Sequence, residues 1–108
     1  MIKFTEYEIN ELFRAIDDFD GLFQKNKYVK ITLETIADFA DADDEVIEML
    51  KLLVGYEIKI KVDGDHRHDG QMVDYGLYFK NPEGKVTEVW TEMCLMCGWN
   101  HWKDEEIR

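Results

Sequence analysis

The chain has 108 residues, 45% hydrophobic and 13% aromatic, which is too apolar for a disordered chain and predicts a single packed domain over residues 1–108. Thirteen Lys and Arg against 24 Asp and Glu give a net charge of −11, which disfavours direct contact with nucleic acid or an anionic membrane and suits a basic protein partner. No apolar run of about 18 residues is present to span a membrane, and the opening MIKFTEYEIN has no hydrophobic signal core, so a cytoplasmic location with reduced thiols is expected.

Along the chain, Thr5-Glu6-Tyr7-Glu8 matches a capping box, with a hydroxyl at the N-cap and a carboxylate three residues on. Ile9, Leu12, Phe13, Ile16 and Phe19 follow at helical spacing, predicting a first helix to about Asp18, stopped by Asp20-Gly21. LFQKNKYVKI reads as a connector with room for a short extended piece. Thr32 is placed to cap a short second helix through Leu33, Ile36, Ala37 and Ala40. Asp43 is placed to cap a third, with Val46, Ile47, Leu50, Leu53 and Val54 on its inner face and Gly55 as the terminating glycine. YEIKIKV then alternates as a strand, DGDHRHDG is a loop, QMVDYGLYF a second strand, NPEG a tight turn, and KVTEVWTEM a third strand. The aromatics Tyr75, Tyr78, Phe79, Trp90, Trp99 and Trp102 are expected mostly in the core between helices and sheet, with an exposed partner-binding patch as the other reading.

The expected class is therefore α+β: a helix-turn-helix-like unit of three helices packed on a three-stranded antiparallel meander. That order resembles a winged helix. The family resemblance implies DNA binding through the helix at Asp44 to Leu53. From Ile31 to Leu50, however, there are seven acidic residues (34, 38, 41, 43, 44, 45 and 48) and no basic one. Phosphate would repel such a helix, so the expected use of this surface is toward a basic protein, with Asp41, Asp43, Asp44, Glu45 and Glu48 as the contact residues.

MCLMCGWNHW holds both cysteines, Cys94 and Cys97, two residues apart as in a zinc knuckle, with Gly98 directly after. In an antiparallel meander the third strand ends where the loop between the first two begins, so Cys94 and Cys97 emerge at the same end as His66 and His68. Two thiolates and two imidazoles suit tetrahedral zinc. His101 is an alternate ligand, four residues after Cys97. A pair of buried reduced cysteines, a redox pair, and calcium at Asp63, Asp65 and Asp69 are the competing readings. A redox pair lacks a βαβ setting, and the calcium spacing places His68 where a glycine is needed. No His-x-Glu or His-Glu-x-x-His pattern supplies a general base, and the chain has no serine, so a structural zinc site and no enzymatic activity are expected.

With DFADADDEVIE, the strong negative charge, CLMCG and HRH, the chain is similar to the small acidic, zinc-containing anti-CRISPR proteins that phages and mobile elements encode. The resemblance implies a partner that is a CRISPR RNA-guided nuclease with a basic nucleic-acid channel, and an inhibitor that blocks target-DNA loading. The alternative is a zinc-stabilised regulatory or adaptor domain that binds another basic host protein.

Overall fold

The computed structural model describes residues 2–17, 27–39, 42–63, 72–94 and 102–108. The element order is β1 (Ile2–Phe4), α1 (Glu6–Asp17), β2 (Val29–Lys30), α2 (Leu33–Ala37), α3 (Asp44–Leu52), β3 (Glu57–Asp63), β4 (Met72–Lys80), β5 (Val86–Cys94) and β6 (Glu105–Ile107). The class is α+β, with three helices and antiparallel sheets.

The capping box forms as its sequence requires. The Glu8 backbone N–H donates to Thr5 Oγ1 at 3.2 Å, and the Thr5 N–H donates to Glu8 Oε1 at 3.0 Å. A third contact comes from the far end of the chain: Asp104 Oδ1 accepts the Glu6 N–H at 2.8 Å. Three of the bonds that a helix start lacks internally are thus supplied by side chains. Ile9, Leu12, Phe13 and Ile16 are buried, each contributing about 1.5–3 kcal/mol by leaving water. Phe19 lies outside the described residues.

Thr32 caps α2 by accepting the Thr35 N–H at 3.1 Å. Asp43 occupies the N-cap position of α3 without a side-chain bond; its carbonyl accepts from Val46 and Ile47 instead. Val46, Met49, Leu50 and Leu53 are buried, and Ile47 packs partly against them. Val54, expected on the inner face of the third helix, is exposed, as is Leu33 at the start of α2. Val54 falls in the turn after α3, where helical spacing no longer sets direction, and Gly55 completes that turn at φ +95°.

The main sheet has four strands in the order β2-β3-β4-β5, all antiparallel. The three-stranded meander is present within it, and Val29–Lys30 adds a fourth strand across Glu57 and Ile58. A second sheet of two strands joins the chain ends, with Ile2 opposite Ile107 and Phe4 opposite Glu105. Neither addition was expected beyond a short extended piece in the connector LFQKNKYVKI. Strand alternation turns Ile58, Ile60, Tyr75, Leu77, Phe79 and Val89 inward to one core with the helices, Trp102, Phe4 and Ile107. Phe13 packs edge-on to Tyr75 at 5.3 Å between ring centroids and lies 5.5 Å from Trp102.

Candidate partner surface and metal site

Helices α1 and α3 pack side by side, and carboxylates from both act on one tyrosine of α1. Tyr7 sits on α1 off the buried stripe and is 58% exposed. Its phenol is pushed above the ordinary tyrosine range. The Glu11 carboxylate beside it is the chief cause, followed by Glu45 across the helix pair, slight burial and Asp43; Arg14 opposes them. A ring carrying no charge at neutral pH thus marks where negative potential from two helices overlaps. Glu34, Asp38, Asp43, Asp44, Glu45 and Glu48 are all exposed, as the sequence pattern requires. Lys51 holds Glu48 at 3.1 Å, a surface pair of little energetic weight. Asp41 lies outside the described residues.

The opposite face of the sheet is chemically different. Alternation turns Lys59, Tyr78 and Glu88 outward in one cross-strand row and Lys61, Gly76 and Trp90 in the next. The Lys59 ammonium lies 4.7 Å from the Tyr28 ring centre and 4.5 Å from that of Tyr78. Lys80 lies 5.2 Å from the Tyr28 ring and 3.7 Å from Glu57. Tyr78 meets Trp90 edge to face at 5.8 Å. Burial, then Glu57 and Glu88, raise the Tyr28 phenol above its usual range. These contacts brace the outer face by cation–π and cross-strand pairing. The expected core aromatics therefore divide: Tyr75, Phe79 and Trp102 are buried, Tyr78 and Trp90 face outward, and Trp99 lies outside the described residues.

For the metal ligands, the register fixes one relationship. Cys94 ends β5 directly opposite Met72, the first residue of β4, and Asp63 at the end of β3 lies opposite Asp74. The connection 64–71, which carries His66 and His68, therefore joins β3 to β4 at the sheet end where β5 terminates. His66, His68, Cys97 and His101 themselves lie outside the described residues. Among the described residues no group of three or more His, Cys, Asp or Glu is placed to hold a metal ion. An open pocket of about 390 Å³ lies between Lys3, Phe4, Thr5, Asp104, Glu105 and Glu106. The Asp104 carboxylate on its wall is already engaged in capping α1.

Sequence reasoning found the acidic helices and missed Tyr7 as the point where they meet. The signal available was its position: two residues before Ile9, it falls off the apolar stripe of an otherwise regular amphipathic helix. The outer-face ladder was similarly legible in the alternating lysines of EIKIKV, given the strand assignment.

The fold and these surfaces define a small α+β protein with an acidic helical face behind an antiparallel sheet. Comparison with protein-family profiles, with curated proteins and with solved structures returns no match. Among the described residues, no helix is long and apolar enough to cross a membrane.

Proposed function

We propose that this chain is a non-catalytic inhibitor of the anti-CRISPR kind, acting in the host cytoplasm by binding an RNA-guided DNA nuclease and blocking target-DNA loading. The observation that carries the reading is the exposed row of carboxylates Glu34, Asp38, Asp43, Asp44, Glu45 and Glu48, with exposed Tyr7 on the helix packed beside α3. Tyrosine is an effective interface anchor, because it brings a large rigid surface and a polar tip. Surrounded by carboxylates, it suits a partner surface of lysine and arginine, such as the channel that holds a nucleic-acid backbone. The same carboxylates disfavour DNA itself as the ligand of α3.

In this reading the three helices and sheet form a winged-helix-like arrangement whose second helix pair has been turned from phosphate to protein. Zinc is held by Cys94 and Cys97 with His66 and His68, or with His101 in place of one histidine. Its role is to tie the end of β5 to the β3–β4 connection, a crosslink that a domain of this size benefits from.

The test is a DNA-cleavage assay paired with a DNA-loading gel shift, using a nuclease already bound to its guide RNA. The expected result is loss of both loading and cleavage at saturating protein. Unchanged loading and cleavage across several such nucleases would discard the inhibitor reading and leave an adaptor for another basic host protein.

A further inference from the structure

The start of α2, the turn after α3 and the turn between β4 and β5 meet at one end of the sheet. β2 pairs with β3 through Val29 opposite Ile58 and Lys30 opposite Glu57. One step on, the Ile31 N–H donates to the Tyr56 carbonyl at 2.8 Å, and the Gly55 N–H donates to the Ile31 carbonyl at 2.9 Å. These bonds set the first residues of α2 beside the chain that leaves α3. The β4–β5 turn closes on the same place, where a Cβ at Gly55 would lie 3.4 Å from Pro82 Cγ.

This end carries apolar side chains in water. Leu33, the first residue of α2, is 71% exposed; Leu52, the last of α3, is 60% exposed; Val54 is 42% exposed. Pro82 is exposed beside them. One exposed leucine needs no explanation, but a group of apolar side chains at one end marks a contact surface. The Thr32 cap and the β2–β3 pairing already hold it in place, so docking on it orders little that was free. The charge around it also differs from that of the whole chain. Among the described residues of this end, Lys30, Lys51, Lys80 and Lys85 balance Glu34, Glu48, Glu57 and Glu83, in a chain of net charge −11.

We propose that this end of the molecule docks on a second copy of the chain about a two-fold axis, with Leu33, Leu52 and Val54 of each copy packed against the other. The choice of occupant follows from charge. A strongly basic partner finds no net field here to attract it. Two copies, by contrast, meet where their excess negative charge is least, and each brings both signs for pairing across the axis. The contact residues are few, so the dimer is weak, with a dissociation constant of about 10–100 μM. Tyr7 responds to Asp43 and Glu45 at the opposite end of α3, so a dimer presents that acidic surface twice, and either proposal can fail alone.

The test is sedimentation equilibrium of the intact chain from about 1 to 500 μM, a range that brackets the expected constant. The mass should rise from 12.8 kDa toward twice that value. Leu33→Glu and Leu52→Glu, both at exposed positions, should each weaken association about tenfold or more, with circular dichroism and urea unfolding confirming an intact fold. NMR of the unsubstituted protein gives a reading that needs no variant. On dilution, amide shifts should move at residues 32–34 and 52–55 and stay fixed around Tyr7. A monomer mass at every concentration overturns the proposal. A dimer that both substitutions leave unchanged, or dilution shifts confined to other surfaces, overturns it as well.

Discussion

The ring of Trp90 lies flat across Gly76, its cross-strand neighbour, so closely that a Cβ at position 76 would sit 3.0 Å from three of the ring carbons. A glycine in mid-strand has no side chain to pack and leaves an opening in the sheet surface. Here the indole covers it, and this fixes where Trp90 meets Tyr78. Gly76→Ala should therefore destabilise the domain by about 1 kcal/mol through forced displacement of a rigid ring. Adding Trp90→Ala to that change should relieve the clash, so the double variant loses less than the two single losses combined. Urea unfolding of all four proteins measures this coupling. Strict additivity would mean that the ring moves aside freely.

The start of α1 offers a second measurement. Thr5 supplies the local cap and Asp104 a cap from 98 residues away. Thr5→Ala and Asp104→Ala should each cost about 1 kcal/mol. Asp104→Ala should also loosen the pairing of Ile2 with Ile107, visible as faster amide exchange in β1 and β6 relative to Thr5→Ala. Equal exchange in the two variants would limit Asp104 to a capping role.

These contacts mark the boundary of what the sequence discloses. The Thr5–Glu8 box, the Thr32 cap and the three long strands are local: hydroxyl, carboxylate and alternating Ile58, Ile60 and Leu77 declare themselves within a few residues. The pairing of Ile2–Phe4 with Glu105–Ile107 is set by tertiary closure, and three residues carry too little periodicity to announce it. Val29–Lys30 is shorter still. For the partner surface, the acidity of α3 was plain, but Tyr7 joins it only because α1 lies alongside. For the metal site, strand order put Cys94 at the end of the third strand, and Cys94 ends β5 opposite Met72; His66, His68, Cys97 and His101 lie outside the described residues. The ligand set itself rests on the chemistry of the residue types.

That register motivates a metal measurement. Protein prepared without a metal-binding tag should carry about one zinc per chain. Cys94→Ser and Cys97→Ser should each lose it and melt lower, because metal binding adds to folding free energy. Elemental analysis beside thiol titration is the check. Zero zinc with both thiols freely reactive would remove the site.

Tyr7 reports on the acidic surface without any partner present. Its folded-state phenol is raised, chiefly by Glu11 and then Glu45, so the folded protein holds the proton to higher pH than the unfolded chain. The sign follows: this contribution to stability is fully present below the ordinary tyrosine value near 10 and is lost as pH rises through the folded-state value. NMR titration of the Tyr7 ring should place its ionisation above that ordinary value. Glu11→Gln should lower it more than Glu45→Gln, and added salt should lower it too. An unshifted Tyr7, insensitive to either change, would mean that the two helices do not pool their charge.

The same carboxylates should govern partner association. Substituting Glu11→Gln, Asp43→Asn, Asp44→Asn and Glu45→Gln together removes four negative charges, three of them acting on Tyr7, while leaving the buried faces of α1 and α3 intact. Neutralisation is a cleaner test than reversal to lysine, because cations in the first turn of α3 would oppose the helix dipole and confuse lost binding with lost stability. If the surface steers a basic nuclease, the quadruple variant should associate about tenfold more slowly at low salt. The difference should shrink as ionic strength rises and the screening length falls to about 8–10 Å. Tyr7→Ala should act differently, speeding dissociation with little effect on association, since an anchoring ring works after contact and not before it. Stopped-flow association with the guide-loaded nuclease separates the two effects. Full inhibition by a variant carrying all five changes would move the contact away from the helices, and the outer sheet face at Glu88 and Trp90 would then be the surface to substitute.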